Sequence, residues 1–378
     1  MSLFRKRQVG LIKSAVPDSK PEQADIIPVS ISCLVEFFEM KLRVGLIGLG
    51  DQWESRHRPA LKALSDKYEV RAICCEVADR SRTMAADFGA IAVDGFRAMV
   101  ERQDIDAVLV LAPDWVGPLP IIAACEAGKA VYTSAALDIA PDRAREVRDR
   151  VDKSGVAFMA ELPRRHAPAT IRLKELMATR LGPARLLFCH ERMPVESQSN
   201  RLRRGENSPL TWRYLMELVD WCRYLVNHDP ESVFSAIHEQ HNAAKNIFYQ
   251  MVSLNFPATA AHDWRPLAQI SVGHYIPEKW QDALSFRRPA SIQVSCERGI
   301  AFIDLPSTLI WFDDAGQHTE SLESERPLGE QMLDHFHRSV TSLIRKTTDL
   351  RDAYRAQRVV LCAHESAKIG QRVFVNFD

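Results

Sequence analysis

The chain has 378 residues, 46% of them apolar, and carries 49 basic against 49 acidic residues. That length is enough for a sizeable core and two domains, and zero formal net charge argues against the basic surface that a nucleic acid or an anionic membrane would require. The eight cysteines include no CxxC and sit mostly inside apolar runs, the pattern of reduced, buried thiols in a cytoplasmic protein rather than of a disulfide framework or a zinc site.

Residues 1–40 differ in character from the rest of the chain. A basic patch at Arg5, Lys6 and Arg7 leads through a polar, proline-containing segment to an apolar stretch, Ile26 to Phe38, that Pro28 and Glu36 interrupt. This stretch is too short and broken to span a membrane. It reads as an extension outside the folded core or a misassigned start, with an extra strand or subunit arm as the alternative.

Leu42 to Ile47 is a short apolar run that predicts a buried central strand, broken at Gly48 and Gly50 before a helix over Glu54 to Leu64. A strand, a glycine turn and a helix start would cradle a pyrophosphate, with Gly48 for the sharp turn and Gly50 for close backbone approach; the alternative for a lone GxG is an ordinary turn. Asp51, Gln52 and Trp53 complete that turn, although Trp53 stands where a small residue is usual. Strands come next at Glu69 to Cys75, Ala107 to Leu111, Ala130 to Thr133 and Val156 to Ala160. Helices are expected between them over Ala78 to Asp87, Phe96 to Arg102, Leu119 to Ala127 and Pro141 to Lys153. This alternation predicts βαβ units around a parallel sheet, with ligands at the carboxyl ends of the strands.

From about Pro168 the pattern changes. A helix over Ala169 to Met177 precedes strands at Ala184 to His190, Ser232 to Glu239, Phe248 to Phe256, Ala268 to Val272, Ser291 to Cys296, Ile300 to Asp304 and Thr308 to Phe312. Helices are expected over Leu210 to Leu225, Glu330 to Ile344 and Leu350 to Lys368, and a last strand at Arg372 to Phe377. The fold class is therefore α/β: an N-terminal Rossmann dinucleotide-binding domain over 41–163, then a C-terminal α+β domain over 164–378 with a large, mostly antiparallel sheet. His238, Glu239 and His241 have the composition of a metal site. Residues three apart on a strand point to opposite faces, so no metal is expected there.

Several ordered motifs carry a resemblance. They are VGLIGLG at Val44 to Gly50, HRPAL at His57 to Leu61, DIDAVLVLAP at Asp104 to Pro113, AACEAGKAVY at Ala123 to Tyr132, RRHAP at Arg164 to Pro168, SCERGIAFIDL at Ser295 to Leu305 and ESAKIGQRV at Glu365 to Val373. In this order the chain resembles the two-domain oxidoreductases named after glucose-fructose oxidoreductase and inositol dehydrogenase. The resemblance implies NAD or NADP as cofactor, a sugar, polyol or related hydroxy compound as substrate, and a homodimer or homotetramer formed through the C-terminal sheet. The family's lysine position holds Ala135, and its helix HxxD pair is represented by Glu217 and Asp220. The resemblance thus assigns proton transfer to Asp220 with Glu217, and cleft contacts to Arg165 and His166.

On the cofactor side, the resemblance points to Cys75 and Glu76 for the ribose, Arg80 for a 2′-phosphate, and Ala112, Pro113, Trp115 and Ser134 near the nicotinamide. One residue more than usual separates the glycines from His57, which implies a reshaped turn. Trp212, Tyr214, Asp263, Trp264 and His274 are further candidates for substrate contact. Two carboxylates at Glu217 and Asp220 supply the wrong sign for a developing alkoxide, so Arg165 or His166 has to compensate. A non-catalytic ligand-binding relative acting as a regulatory or structural subunit is the alternative function.

Overall fold

The computed structural model describes residues 41–134, 141–194, 210–242, 245–258, 263–280, 282–323, 326–342 and 348–377. The expectations for residues 1–40 and for Ala135 lie outside them. Every strand between β1 (Leu42–Ile47) and β6 (Phe158–Ala160) runs parallel, through β2 (Tyr68–Cys74), β3 (Ile91–Ala92), β4 (Ala107–Val110) and β5 (Ala130–Thr133), in the order β3-β2-β1-β4-β5-β6. Both faces of this sheet are covered, which is why β4, β5 and β6 are buried at every residue and read as unbroken apolar runs. The strand order reverses between β1 and β4, so the crevice at their carboxyl ends is the place where this topology receives a ligand. Strand β3 adds to the sequence expectation; its two exposed residues carry no periodic signal.

The glycine turn closes against β4. Gly48 has φ +74°, and a Cβ added there would lie 2.4 Å from the Ala112 Cβ; one on Gly50 would lie 2.2 Å from the Leu111 carbonyl oxygen. Gly50 is thus required by packing of the turn against the end of β4, a constraint distinct from approach of a ligand. Gly50→Ala is expected to destabilise the protein by about 1–3 kcal/mol, read from the urea midpoint, because the obstructing atom is backbone. A midpoint equal to that of the parent would show that the turn can slide.

The helix after the turn does not begin as an α-helix. Trp53–His57 forms a π turn, with the His57 N–H donating to the Gln52 carbonyl at 3.2 Å, before α-helix resumes over Arg58–Ala63. A π turn absorbs one extra residue, which is where the sequence has one more residue than usual before His57.

The second sheet has nine strands in the order β14-β13-β12-β11-β7-β10-β9-β8-β15, antiparallel except for the β7–β10 pair. Its strands are β7 (Ala184–Pro194), β8 (Ser232–Asn242), β9 (Lys245–Asn255), β10 (Leu267–Ile276), β11 (Ile292–Cys296), β12 (Ile300–Asp304), β13 (Thr308–Asp313), β14 (Gly316–Ser321) and β15 (Val373–Phe374). One face is covered by the helix Leu210–Val226, whose Leu218, Val219 and Cys222 sit in the core with Val252, Ile270 and Val294. In the sequence β14 shows only as the turn at Asp314 to Gly316, because its polar residues hide a strand that borders the sheet.

Two late helices return to the first sheet. Met332, Leu333 and Phe336 of Leu328–Thr341 pack with Leu46 and Tyr132 on one side of it. Leu350, Ala353 and Tyr354 of Thr348–Ile369 pack with Val110 and Phe158 on the other, while Ala356, Val359 and Val360 of the same helix belong to the core of the second sheet. All described residues belong to one compact unit.

Candidate active site

A cleft of about 510 Å³ opens beside the end of the glycine turn, with Asp51 and Gln52 on one wall and Arg164, Glu191, Arg213 and Glu217 on the other. Helix Leu210–Val226 presents Arg213 and Glu217 one turn apart, and β7 presents Glu191. Glu217 lies between two guanidiniums, its carboxylate oxygens 3.5 Å from Arg164 Nε and 3.5 Å from Arg213 Nε. Arg164 also donates to Glu191 at 2.8 Å and its guanidinium lies over the Trp221 ring. Burial works against its charge, but Glu217 and Glu191 outweigh that and raise its pKa. Arg213 reaches across to donate to the Ser134 carbonyl at 3.2 Å, joining this helix to the end of β5.

Glu217 and Asp220 do not form a carboxylate pair. Asp220 is 1% exposed and sealed in a network of its own: Arg165 binds it through two nitrogens, Arg223 donates to it at 3.3 Å, and Arg165 donates to Asp352 at 2.7 Å. Burial raises its pKa against the pull of both arginines. With both oxygens held in this way Asp220 does not line the cleft, so the structure does not bring it to the place where the sequence expects it to carry the proton. Arg165 is consumed by the same network and is not the arginine of the cleft. That residue is its neighbour Arg164, because on the short helix Pro163–His166 consecutive side chains diverge. His166 is likewise elsewhere, lining a separate cavity of about 780 Å³ beside His335. Burial, His335 and Arg165 lower its pKa to about 4, so it is neutral near pH 7 and does not compensate the cleft carboxylates.

Asp349 borders the sealed network, and its pKa is pushed up to about 6 by burial and by Asp352 and Asp220, against the pull of Arg165. A carboxyl whose pKa is raised on folding favours the folded state while protonated, and that advantage is lost as pH rises from the unfolded value of about 4 through the folded value near 6. Asp349→Asn is therefore expected to stabilise the protein by about 2 kcal/mol at pH 8 and by nothing at pH 4, as measured by urea unfolding at both values. Equal effects at the two pH values would remove the assignment.

The cofactor candidates divide by position. Asp51 and Gln52 line the cleft. Trp53 does not: its side chain is fully buried in the core 5.9 Å from Phe88 and anchors the turn from beneath, away from the cleft where the sequence places it. Cys75 is half-buried with its N–H donating to Ser81 Oγ at 2.8 Å, while Glu76 and Arg80 stand exposed just past the end of β2. The Ser134 hydroxyl donates to the Leu111 carbonyl at 2.9 Å, the same oxygen that excludes a side chain at Gly50. Ala112 abuts Gly48, Pro113 begins a short helix, and Trp115 is 41% exposed. An exposed carboxylate past β2 and a glycine turn at the β1–β4 crossover fit a dinucleotide.

Of the further substrate candidates only Tyr214 lines the cleft. Trp212 stacks on His364, Trp264 lies under Arg185 by a different pocket, Asp263 is exposed and His274 is buried in β10. Among the described residues no group of His, Cys, Asp and Glu could hold a metal. Sequence reasoning misses Arg56 and Glu161. Arg56 lines the cleft and donates at 2.8 Å to the buried Glu161, which also meets His57 Nε2 at 3.4 Å. Burial pushes the Glu161 carboxyl up, but His57 and Arg56 prevail and hold it below the usual range. The available signal is a lone acid directly after the apolar run of β6.

Residues 42–162 match the oxidoreductase family with an NAD-binding Rossmann fold. The chain is 33% identical over 127 residues to dTDP-3,4-didehydro-2,6-dideoxy-alpha-D-glucose 3-reductase of Actinomadura kijaniata, a match covering 34% of this chain and 38% of that enzyme. The chain thus spans well under half the length of that curated relative. Among solved structures, aldose-aldose oxidoreductase from Caulobacter crescentus, complexed with glycerol, superposes with a TM-score of 0.74 at 16% identity over 89% of this chain and 100% of that one. Levoglucosan dehydrogenase, in complex with NADH and levoglucosan, gives 0.70 at 16% identity over 89% and 100%. No helix among the described residues is long and apolar enough to cross a membrane. The chain therefore has a Rossmann-type domain, matched by the oxidoreductase family model over residues 42–162, followed by a mostly antiparallel sheet domain.

Proposed function

We propose that the protein is an NAD- or NADP-dependent oxidoreductase acting on a sugar, polyol or related hydroxy compound in the cleft beside the glycine turn. The observation that carries this reading is Glu217 held between Arg164 and Arg213 within the same cleft as Asp51 and Gln52. A bound nicotinamide supplies the hydride acceptor or donor. Gly48, Gly50, Asp51, Gln52 and Glu76 are the residues that would hold the dinucleotide, with Ala112, Pro113, Trp115 and Ser134 at its reactive end.

Glu217 takes or returns the proton of the reacting hydroxyl, and Arg164 and Arg213 set positive charge where an alkoxide develops. The electrostatic demand that the sequence placed on Arg165 or His166 falls on these two arginines. The reductase, aldose oxidoreductase and levoglucosan dehydrogenase likenesses support a sugar-like substrate. Titration with NAD⁺, NADH and their phosphorylated forms tests the reading, and no binding in the millimolar range ends it. The second reading is a non-catalytic ligand-binding subunit, favoured by the sealing of Asp220; cofactor binding with no turnover on any sugar or polyol selects it.

The same proposal includes a homodimer or homotetramer through the second sheet. The strand register aligns Leu267, Leu186, Ser295, Ile300 and Phe312 in one row, and Leu267, Leu186 and Phe312 are 36%, 40% and 39% exposed. An apolar row of this kind suits association. Light scattering on the eluting protein is expected to give two or four chains, falling to one for Leu186→Lys.

A further inference from the structure

Among the described residues, one arginine on the cleft lining has no carboxylate that holds it. Arg164 has Glu191 and Glu217, Arg213 has Glu217, and Arg56 has Glu161 beneath the cleft floor. Arg288, on the same lining, has no acidic partner among the described residues. It sits just before β11, on the wall formed by the second sheet with Ser291, whereas Asp51 and Gln52 of the glycine turn form the other wall. A guanidinium on that wall is placed to meet the substrate rather than the dinucleotide. The neighbouring guanidiniums are each held by a carboxylate, whereas Arg288 is exposed and open to a ligand group. An anionic substituent would complete the pairing with a charge-assisted, bidentate contact.

We infer that the ligand of this cleft is an anionic sugar, its carboxylate or phosphate group bound by Arg288. The inference rests on the reading of the cleft as a substrate site, so the experiment separates the two. NADH binding is followed by fluorescence. Binding of D-glucuronate, D-glucose 1-phosphate and D-glucose is followed by calorimetry, with the full-length protein, Arg288→Ala and Arg288→Lys. The expected result is that at least one anion binds about tenfold or more tightly than D-glucose, the size of one charge-assisted hydrogen bond. That preference should disappear in Arg288→Ala, survive in part in Arg288→Lys, and weaken with added salt, while NADH affinity stays unchanged.

Preference for the carboxylate or for the phosphate identifies which group the site takes. If neither anion outbinds D-glucose, including the case in which neither binds, the inference falls. It also falls if Arg288→Ala keeps the preference, or if that variant loses NADH affinity instead, which would place the guanidinium on the dinucleotide. Anion preference without NADH binding would end the oxidoreductase reading and leave the anionic-sugar site standing.

Discussion

Arg165→Ala is expected to lower the unfolding free energy by about 3–5 kcal/mol in urea titrations at pH 8, the cost of leaving buried carboxylates without their partner. Asp220 is 1% exposed, and after the substitution only Arg223 would remain to hold it, while Asp352 would lose its 2.7 Å donor. The loss should be smaller at pH 5, because a carboxyl already raised by burial rises further without Arg165 and becomes easier to protonate. Adding Asp220→Asn to the alanine variant should recover part of the stability, as expected for two groups in one network. A variant within 1 kcal/mol of the parent at pH 8 would mean that the network is looser than the geometry implies.

Glu217→Gln is expected to lower kcat by about 10²–10⁴-fold on whichever sugar or polyol proves to be turned over, with cofactor affinity unchanged. The substitution keeps the side chain's shape, and Arg164 retains Glu191, so the cleft should stay folded. Asp220→Asn, by contrast, should act mainly on stability. Turnover that survives Glu217→Gln but collapses in a fully folded Asp220→Asn would reverse the assignment of the proton carrier.

Most of the architecture is legible in the sequence because it is written in local periodicity. The strands of the first sheet are continuous apolar runs, as strands covered on both faces must be, and the second set shows the alternation of strands with one open face. The extra residue before His57 is visible, although its form as a π turn is not, since a π turn is distinguished only by which carbonyl each N–H meets. The site is harder. Arg164 and Arg165 are adjacent and chemically identical; what separates them is that one meets Glu191 on β7 and the other Asp352 on a helix far along the chain. Trp53 stands in a cofactor motif, yet it is part of the core under Phe88. Pairings of this kind depend on tertiary distance, which a single sequence does not carry.

The helix Thr348–Ile369 gives part of its length to the core of the first sheet and the next part to the core of the second. During synthesis β1 to β6 leave the ribosome long before Leu350, Ala353 and Tyr354 can cover Val110 and Phe158. One face of the first sheet must wait as exposed apolar surface until the chain has been made as far as this helix, the situation in which chains call on chaperones. Those long-range contacts also make for slow folding. Once in place, the helix ties both cores to one element, so the two sheets are expected to lose their amide protection together rather than as separate units.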